Sequence, residues 1–260
     1  MCCKRNTKEE CNTIYLTGDT HGDFQRLGNK HLPQCKETTR DDYVIICGDF
    51  GGLWAGNAHD RYWLDWLNEK PFTTLFVDGN HENFDLLNAQ PEKHWNGGRV
   101  HEVRENVLHL MRGQIFTFGG RTWFTMGGAA SHDIQDGILD PADPDFEQQY
   151  WLMRRMRAMF RVKGHSWWQE EMPNDQEYAE ARSNLERINW KVDYILTHCA
   201  PSHIVRKIDP SYGTDQLTDF LEMVSQRCQF SYWFFGHYHD NKIIDDRYVL
   251  QWEQFSKLEF

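Results

Sequence analysis

Short apolar segments with β-strand propensity recur along this chain, and each is followed closely by a turn that carries an aspartate, asparagine or histidine. They cover residues 14–17, 43–47, 74–77, 194–196 and 232–235. Nearly every residue in them is apolar, which is typical of strands buried on both faces of a sheet. The repeated pattern therefore predicts a sheet whose strand ends carry polar side chains.

Helical spacing of apolar residues lies between several of these strands, in residues 60–68, 178–188 and 214–227. Strands that alternate with helices predict an α/β fold with right-handed crossovers. Ligands in such folds bind beyond the carboxyl ends of the strands. The polar residues that follow the predicted strands are therefore expected to form one site: Asp19, His21, Asp49, Asn80, His198, His237 and His239.

Length and charge set outer limits on the fold and its partners. A chain of 260 residues is long enough to bury a continuous core. We expect a polar N-terminal tail over residues 1–12 and a single domain over residues 13–260. The formal net charge of -11 argues against a general binder of nucleic-acid backbones, and it suits carboxylates that bind metal ions.

Cysteine usage and hydropathy indicate a reducing compartment. The 7 cysteines include no Cys-x-x-Cys pair, so free thiols are expected rather than a zinc ribbon. The start of the chain is polar, and there is no run of about eighteen apolar residues. We therefore predict a cytoplasmic protein that makes no membrane contact.

The ligand types at the predicted strand ends indicate which metal they suit. Carboxylate, amide and imidazole groups together favour manganese, iron or zinc, whereas magnesium prefers oxygen alone. One ion uses about four to six ligands, so the seven candidates fit two divalent ions better. A bridging carboxylate would hold the ions about 3.5–4 Å apart, where they clamp a phosphoryl group and generate hydroxide between them.

Five motifs occur in the following order along the chain: Gly18-Asp19-Thr20-His21-Gly22, Gly48-Asp49, Gly79-Asn80-His81-Glu82, Thr197-His198 and Gly236-His237-Tyr238-His239. They resemble the ordered motifs of the calcineurin-like metallophosphoesterase superfamily. Each motif closes a predicted strand, and the resemblance covers about residues 14–252. It implies a four-layer α/β/β/α sandwich, in which two mixed β-sheets are flanked by helices.

The resemblance also implies a role for each polar residue in the motifs. It assigns the first metal to Asp19, His21 and His239, and the second metal to Asn80, His198 and His237, with Asp49 as the bridge. Manganese is the favoured ion, with iron, zinc or nickel as alternatives.

His81 matches the histidine of the family that binds no metal. Its expected role is to hydrogen-bond a phosphoryl oxygen or to protonate the leaving alkoxide, which suits an imidazole. The neighbours Asp78 and Glu82 are expected either to orient a histidine of the site or to lie on a surface loop. Isolated histidines are predicted to be ordinary surface or capping residues, as at His31, His94, His101 and His109.

Comparison with subgroups of the superfamily narrows the function. In serine/threonine phosphatases, the second motif is followed by an arginine that binds the substrate phosphate. In this chain the second motif is followed by Phe50-Gly51-Gly52-Leu53-Trp54 instead. Protein phosphatase activity is therefore a minor alternative. Other residues resemble uncharacterised bacterial and phage members, namely 127–129, 131–133, Arg161 and 166–171. The candidates for substrate contact are Arg161, Asn80 and His81.

An insertion at about residues 134–163 separates the two halves of that last segment. It begins with an acidic, turn-rich part, and residues 146–163 form a predicted helix that is basic, aromatic and rich in methionine. Three interpretations stay open. The helix is a lid whose arginines contact substrate phosphates, an interface that forms a homo-oligomer, or a helix that packs on the domain with a solvated basic face.

These observations predict a metal-dependent phosphoesterase that hydrolyses a phosphate mono- or diester with a hydroxide held between two metal ions. A phosphorylated small molecule, a nucleotide or a nucleic-acid end is the expected substrate. The alternative from a different class is a metal-bearing scaffold that binds partners through the inserted helix. The presence of His81 speaks against the scaffold, because such a protein has no need of a leaving-group histidine.

Overall fold

The computed structural model describes residues 12–258, so residues 1–11 of the predicted tail lie outside the described residues. The strands are, in chain order, β1 (Ile14–Thr17), β2 (Tyr43–Ile46), β3 (Thr73–Phe76), β4 (Glu92–Trp95), β5 (Gly98–Arg104), β6 (Val107–Leu110), β7 (Gln114–Phe118), β8 (Arg121–Met126), β9 (Gly137–Leu139), β10 (Phe160–Val162), β11 (Tyr194–Thr197), β12 (Tyr232–Phe235), β13 (Lys242–Ile244), β14 (Tyr248–Leu250) and β15 (Ser256–Leu258). The α-helices are α1 (Ala58–Asn68), α2 (Phe84–Asn88), α3 (Phe146–Met156), α4 (Asp175–Arg187), α5 (Ser202–Ile208) and α6 (Gln216–Arg227). Short 3-10 helices cover Phe24–Leu27, Pro33–Glu37 and Gln169–Glu171.

The strand order places the five predicted strands inside two large sheets. The first sheet has the order β15-β1-β2-β3-β6-β5-β4, and the second has the order β13-β14-β12-β11-β8-β7. Strands β1, β2, β3 and β6 run parallel in the first sheet, as do β8, β11, β12 and β14 in the second. Antiparallel strands occupy the edges, so both sheets are mixed, as predicted.

Three apolar clusters show how the sheets and helices stack. The first lies between the two sheets and contains Leu16 of β1 and Phe234 of β12. The second joins Leu64 of α1 to the outer face of the first sheet. The third joins Leu221 of α6 to Ile195 on the outer face of the second sheet. The order helix, sheet, sheet, helix confirms the predicted four-layer sandwich.

Strand β2 and the residue after it show why the central strands are mostly apolar. Val44 and Ile46 pack toward the helices, whereas Ile45 and Cys47 pack toward the opposite sheet. All four side chains are buried. Because successive side chains point to opposite faces, a strand covered on both sides buries all its side chains and favours apolar residues, with buried threonines such as Thr17 and Thr197 as the exceptions.

Two helices begin earlier in the chain than predicted, because polar side chains cap their N-termini. Helix α1 begins at Ala58, because the side chain of Asn57 accepts hydrogen bonds from the free backbone N–H groups of the first turn. Helix α4 begins at Asp175, after a capping box formed by Asn174 and Glu177. Apolar spacing marks the buried face of a helix, whereas these caps decide where the helix starts.

The inserted segment folds as a strand, a helix and a second strand. Strands β9 and β10 pair in parallel, and α3 connects them. The predicted helix over residues 146–163 is too long, because Arg157 takes the left-handed conformation with φ 55 and ends α3 at Met156. No residue of α3 is buried, and Trp151 and Leu152 are exposed. The insertion therefore presents a basic and partly apolar helix on the protein surface.

Candidate metal centre

The predicted ligands follow the carboxyl ends of central strands from both sheets. The strands that carry them are β1 for Asp19 and His21, β2 for Asp49, β3 for Asn80, β11 for His198, and β12 for His237 and His239. Parallel strands direct these ends to the same edge of each sheet. The two sheets face each other, so the ligands from both can meet at one site.

Four of these residues have a positive φ angle, a backbone conformation that residues other than glycine rarely adopt. The φ angle is 45 at His21, 45 at Asp49, 70 at His237 and 47 at His239. A non-glycine residue in such a region costs about 1–3 kcal/mol, and such residues concentrate at functional sites. The sharp turns after β1, β2 and β12 thus direct side chains into the site at a cost in stability.

Two glycines beside the predicted ligands are required because carboxylate oxygens lie very close to their Cα atoms. A Cβ atom on Gly79 would overlap the Oδ1 atom of Asp49, and one on Gly236 would overlap the Oδ1 atom of Asp19. Neither glycine has a positive φ angle. Space for the carboxylates, rather than backbone freedom, is therefore the reason for glycine at both positions.

A first group of ligand atoms is formed by Asp19, His21 and His239, whose candidate atoms all lie within 4.8 Å of one another. The Nε2 atoms of His21 and His239 are 3.3 Å apart. The Nε2 atom of His239 is 3.0 Å from the Oδ2 atom of Asp19. This group contains the three residues that the family resemblance assigns to the first metal.

A second group consists of Asp19, Asp49 and His198, all buried, with candidate atoms again within 4.8 Å of one another. The Nε2 atom of His198 is 3.3 Å from Asp49 Oδ1 and 3.3 Å from the amide Oδ1 of Asn80. The Nδ1 atom of His198 donates to the carbonyl of Cys47 at 2.8 Å. A hydrogen bond of this kind leaves Nε2 as the nitrogen that faces a metal.

Asp49 belongs to the second group and also approaches His21 of the first, while Asp19 is a member of both groups. The Oδ1 atom of Asp49 is near His198, and its Oδ2 atom is 3.6 Å from Nε2 of His21 in the first group. The backbone N–H of His81 donates to Asp49 Oδ1 at 2.8 Å, which fixes the carboxylate. The two carboxylate oxygens of Asp49 therefore face different histidines, Oδ1 facing His198 and Oδ2 facing His21.

The electrostatics of this cluster favour positive charge. Burial lowers the pKa of His198, but the carboxylates of Asp49 and Asp19 outweigh burial and raise the pKa to about 10. Burial likewise raises the pKa of Asp49, yet neighbouring His198 and other histidines bring it below its usual range. Oxygen and imidazole donors that draw a cation are the chemistry of a divalent metal site, so the residues present fit such an ion.

His237 lies beside these groups rather than within either of them. Its backbone N–H donates to Asp19 Oδ1 at 3.0 Å, and its ring centroid is 5.0 Å from that of His198. Its Nε2 atom faces the Nε2 atom of His132 at 2.7 Å. The nitrogen left for a metal is therefore Nδ1.

His81 and Arg161 lie side by side next to the cluster. The ring centroid of His81 is 5.0 Å from that of His21, and an Arg161 guanidinium nitrogen is 3.0 Å from His81 Nε2. Two hydrogen bonds from Arg161 to Asp133, of 2.6 and 2.7 Å, hold the guanidinium in place. Burial lowers the pKa of His81 to about 4, and the charge of Arg161 adds to this effect against the attraction of Asp49.

A comparison with protein families decides the identity of this constellation. The model of the calcineurin-like phosphoesterase family matches residues 13–241. The chain belongs to this family. No curated protein matches the chain. Membership makes it a metal-dependent phosphoesterase domain that acts on phosphorylated compounds and uses divalent metal ions.

The helices and cysteines of this calcineurin-like phosphoesterase can also be compared with the predictions. In the described part of the chain, no helix has the length and apolarity needed to cross a bilayer. Free thiols were predicted, and the cysteines at 35, 47, 199 and 228 are free and buried.

Ser131 and Glu171 form a chain of hydrogen bonds with the predicted ligand Asn80, a role that the sequence did not reveal. The amide nitrogen of Asn80 donates to Ser131 Oγ at 3.3 Å, and Ser131 Oγ donates to Glu171 Oε2 at 2.6 Å. The chain of bonds orients the amide of Asn80, so that its oxygen faces His198. Both residues lie in the segments that resemble bacterial and phage members, which is the only sequence signal for them.

The prediction of a surface or capping position is wrong for His101 and His109. Both are buried, on β5 and β6, and their Nδ1 atoms are 3.0 Å apart. His109 Nε2 is 3.0 Å from Asp78 Oδ1, so these histidines form a polar network behind the strand end of β3. Their strands were not predicted, and their burial follows from sheet pairing. His31 and His94 are exposed, as expected.

Asp78 is a buried structural residue and contacts neither a predicted ligand nor His81 through its side chain. The Nε atom of Arg112 donates to Asp78 Oδ2 at 2.8 Å, and another guanidinium nitrogen of Arg112 donates to the carbonyl of Glu170 at 2.7 Å. Burial raises the pKa of Asp78, but Arg112 and His109 hold it well below its usual range. The ion pair thus ties the end of β3 to the segment that contains Glu171.

Replacing Arg112 with methionine is expected to lower the free energy of unfolding by about 3–5 kcal/mol, because Asp78 is left buried without its cationic partner. Urea denaturation measures this loss. The matched control is Arg104→Met, which breaks a pair of 2.7 Å with the largely exposed Asp65 and should cost about 0–1 kcal/mol. A loss from Arg112→Met no larger than that of the control would contradict the structural role of the pair.

Proposed function

We propose that this calcineurin-like phosphoesterase hydrolyses a phosphate mono- or diester with two divalent metal ions. The first ion is held by Asp19, His21 and His239, the second by Asn80, His198 and His237, and Asp49 bridges them. The observation that carries the proposal is the position of Asp49, whose two oxygens lie 3.3 Å from His198 and 3.6 Å from His21. Two divalent ions bound there would neutralise charge on the phosphoryl group and supply hydroxide as the nucleophile at neutral pH.

Manganese is the proposed ion, with iron, zinc or nickel as alternatives. The ligand atoms of the proposed centre are imidazole nitrogens together with carboxylate and amide oxygens. This mixture suits intermediate divalent ions better than magnesium, which prefers oxygen. Sulfur plays no part in the proposed centre, since none of its ligands is a cysteine.

His81 and Arg161 are proposed to hold the substrate phosphoryl group. The low pKa of His81 keeps its imidazole neutral near pH 7, so one ring nitrogen carries a hydrogen that can be donated to a phosphoryl oxygen. Arg161 offers a charged planar donor beside it. The carboxylate of Asp133 keeps that donor oriented before substrate arrives. The amide of Asn80 is the third proposed contact.

A nucleotide or nucleic-acid end is the substrate that the insertion favours, with other phosphorylated small molecules as alternatives. A cleft of about 810 Å³ between α3 and β10 is lined by Tyr150, Phe160, Arg154 and Arg157. Ser166 also lines the cleft, and its carbonyl accepts a hydrogen bond of 2.8 Å from Arg161. Aromatic rings stack on bases and arginine binds phosphate, so the cleft suits a nucleotide next to the site.

A metal-bearing scaffold that binds partners is the second candidate. The observation in its favour is helix α3, which buries none of its residues and exposes Trp151, Leu152 and Met156. Aromatic residues, methionine and arginine are enriched in protein interfaces, including those of homo-oligomers.

Protein phosphatase activity remains the minor alternative, because the arginine expected after the second motif is missing. A cytoplasmic location is also proposed, since the described cysteines are free.

The proposed activity is tested by a hydrolysis screen of chelated and metal-supplemented protein. We expect Mn2+ to support turnover of p-nitrophenyl phosphate or its diester analogue, and chelation to remove most of it, because the nucleophile depends on the ions. Cyclic nucleotides and dinucleoside polyphosphates in the same screen rank the substrate classes. Turnover that survives complete chelation would disprove the metal mechanism. Absence of turnover with every metal and substrate would favour the scaffold.

A further inference from the structure

Three consecutive residues each contact a different residue of the proposed site. Ser131 accepts a hydrogen bond from Asn80 at 3.3 Å, and the Nε2 atom of His132 is 2.7 Å from His237 Nε2. Asp133 accepts two hydrogen bonds from Arg161, at 2.6 and 2.7 Å. We call residues 131–133 the site strap. Two of its contacts reach residues assigned to the second metal, and the third reaches the arginine beside His81.

The contact between His132 and His237 determines which atom of His237 is free. Two imidazole nitrogens at 2.7 Å share one hydrogen, so one ring donates and the other accepts. A histidine that binds a metal through one nitrogen carries its hydrogen on the other and donates it to a nearby acceptor. If His237 binds through Nδ1, its Nε2–H donates to His132. The hydrogen bond then fixes both the tautomer and the orientation of the His237 ring.

The strap itself is anchored on both sides of His132. The backbone N–H of Ser131 donates to the buried carboxylate of Glu171 at 2.9 Å. The ring of His132 stacks on Tyr212 with centroids 5.8 Å apart and an interplanar angle of 21°. Tyr212 in turn stacks on Tyr238 at 5.7 Å. His132 is therefore held in plane and position by contacts other than the one to His237.

We propose that the site strap is a positioning element for the second metal site, in which His132 orients His237, Ser131 orients Asn80, and Asp133 orients Arg161. The proposal rests on the proposed function, since it assigns His237 and Asn80 to a metal. His132 acts through His237 and is not itself a ligand. Its loss should weaken one of the two metals, because partners of ligating histidines contribute about 10–100-fold to metal affinity.

Metal binding to His132→Ala tests the proposal. We expect two Mn2+ per chain at saturation, as in the wild type, with the affinity of one of them reduced about 10-fold or more. Titration calorimetry gives the affinities and elemental analysis gives the stoichiometry. His132→Gln should restore most of the lost affinity, because its amide oxygen can accept the hydrogen bond. His94→Ala, at an exposed histidine of β4, is the matched control and should bind both ions normally.

The outcomes separate this proposal from the proposed function. Wild-type affinity for both ions in His132→Ala, while His237→Ala loses one ion, would overturn the strap and leave the metal centre intact. Wild-type affinity in His237→Ala would instead overturn the metal centre. A stoichiometry of one ion in saturated His132→Ala would make His132 a ligand and also overturn the strap. Should His132→Ala fail to fold, Tyr212→Leu removes the ring behind His132, and an unchanged affinity there would count against the proposal.

Discussion

Replacing Asp49 with asparagine is expected to reduce turnover of p-nitrophenyl phosphate by about a thousandfold or more. The side chain keeps its shape, but it loses its charge and one of the two oxygens that face His198 and His21. Charge stabilisation by metal ions contributes several kcal/mol to such reactions, and about 1.4 kcal/mol corresponds to a factor of ten. The rate constant under saturating Mn2+ is the quantity to measure.

Metal analysis of the same protein shows why turnover is lost. We expect Asp49→Asn to bind fewer than two ions per chain, while its circular dichroism spectrum matches the wild type. The control is Asp65→Asn, at a carboxylate that is largely exposed and pairs only with Arg104 among the described ion pairs. Turnover within tenfold of the wild type would rule out Asp49 as the bridge.

Replacing His81 with alanine is expected to reduce the rate by about 100- to 10,000-fold, which is the range for loss of a group that transfers or donates a proton. Both metal ions should remain bound, because His81 belongs to neither ligand group. Retained metal together with lost turnover distinguishes His81 from Asp49. Wild-type turnover in this variant would remove His81 from the mechanism.

A series of leaving groups then separates the two roles predicted for His81. If His81 protonates the leaving alkoxide, the loss should grow as the leaving group becomes more basic, from p-nitrophenol to phenol and an alkyl alcohol. If it donates to a phosphoryl oxygen, the loss should be similar for all of them. Burial and Arg161 lower the pKa of His81 to about 4, which favours the second result. A steep dependence on the leaving group would restore the role of acid.

Five central strands, β1, β2, β3, β11 and β12, could be predicted from the sequence, because a continuous apolar run is a property of a short segment. Strand β2 is apolar at every position, since one face packs on helices and the other on the opposite sheet. Strand β4 has no such pattern, because its residues are mostly exposed at the edge of the first sheet. Strand β5 also lacks a continuous apolar run, because several of its side chains are only partly buried. A strand with one face exposed to solvent has no continuous apolar run, so it is recognised only when the strands that pair with it are known.

The buried network behind the site shows a second limit. Asp78 and Glu82 were expected to orient a histidine of the site or to lie on the surface, yet both are buried and bind elsewhere. Glu82 accepts backbone hydrogen bonds from Phe50 at 2.7 Å and Gly51 at 3.3 Å, and so holds the loop that follows Asp49. Burial raises the pKa of Glu82 to about 8, with Asp49 adding to the effect. Nothing in the local sequence indicates these partners.

The kind of chemistry can be inferred from the sequence alone, because ligand type and the spacing of apolar residues are properties of short segments. Carboxylate, amide and imidazole groups at strand ends imply a divalent metal site wherever those ends meet. Which ligand atoms face each other is known from the folded structure, because the distances between strand ends depend on how the two sheets pack. Asp49 comes close to both His198 and His21 in that way, and His132 contacts His237, which lies 105 positions away in the chain. Such a contact depends on sheet packing and loop conformation, which no short motif records.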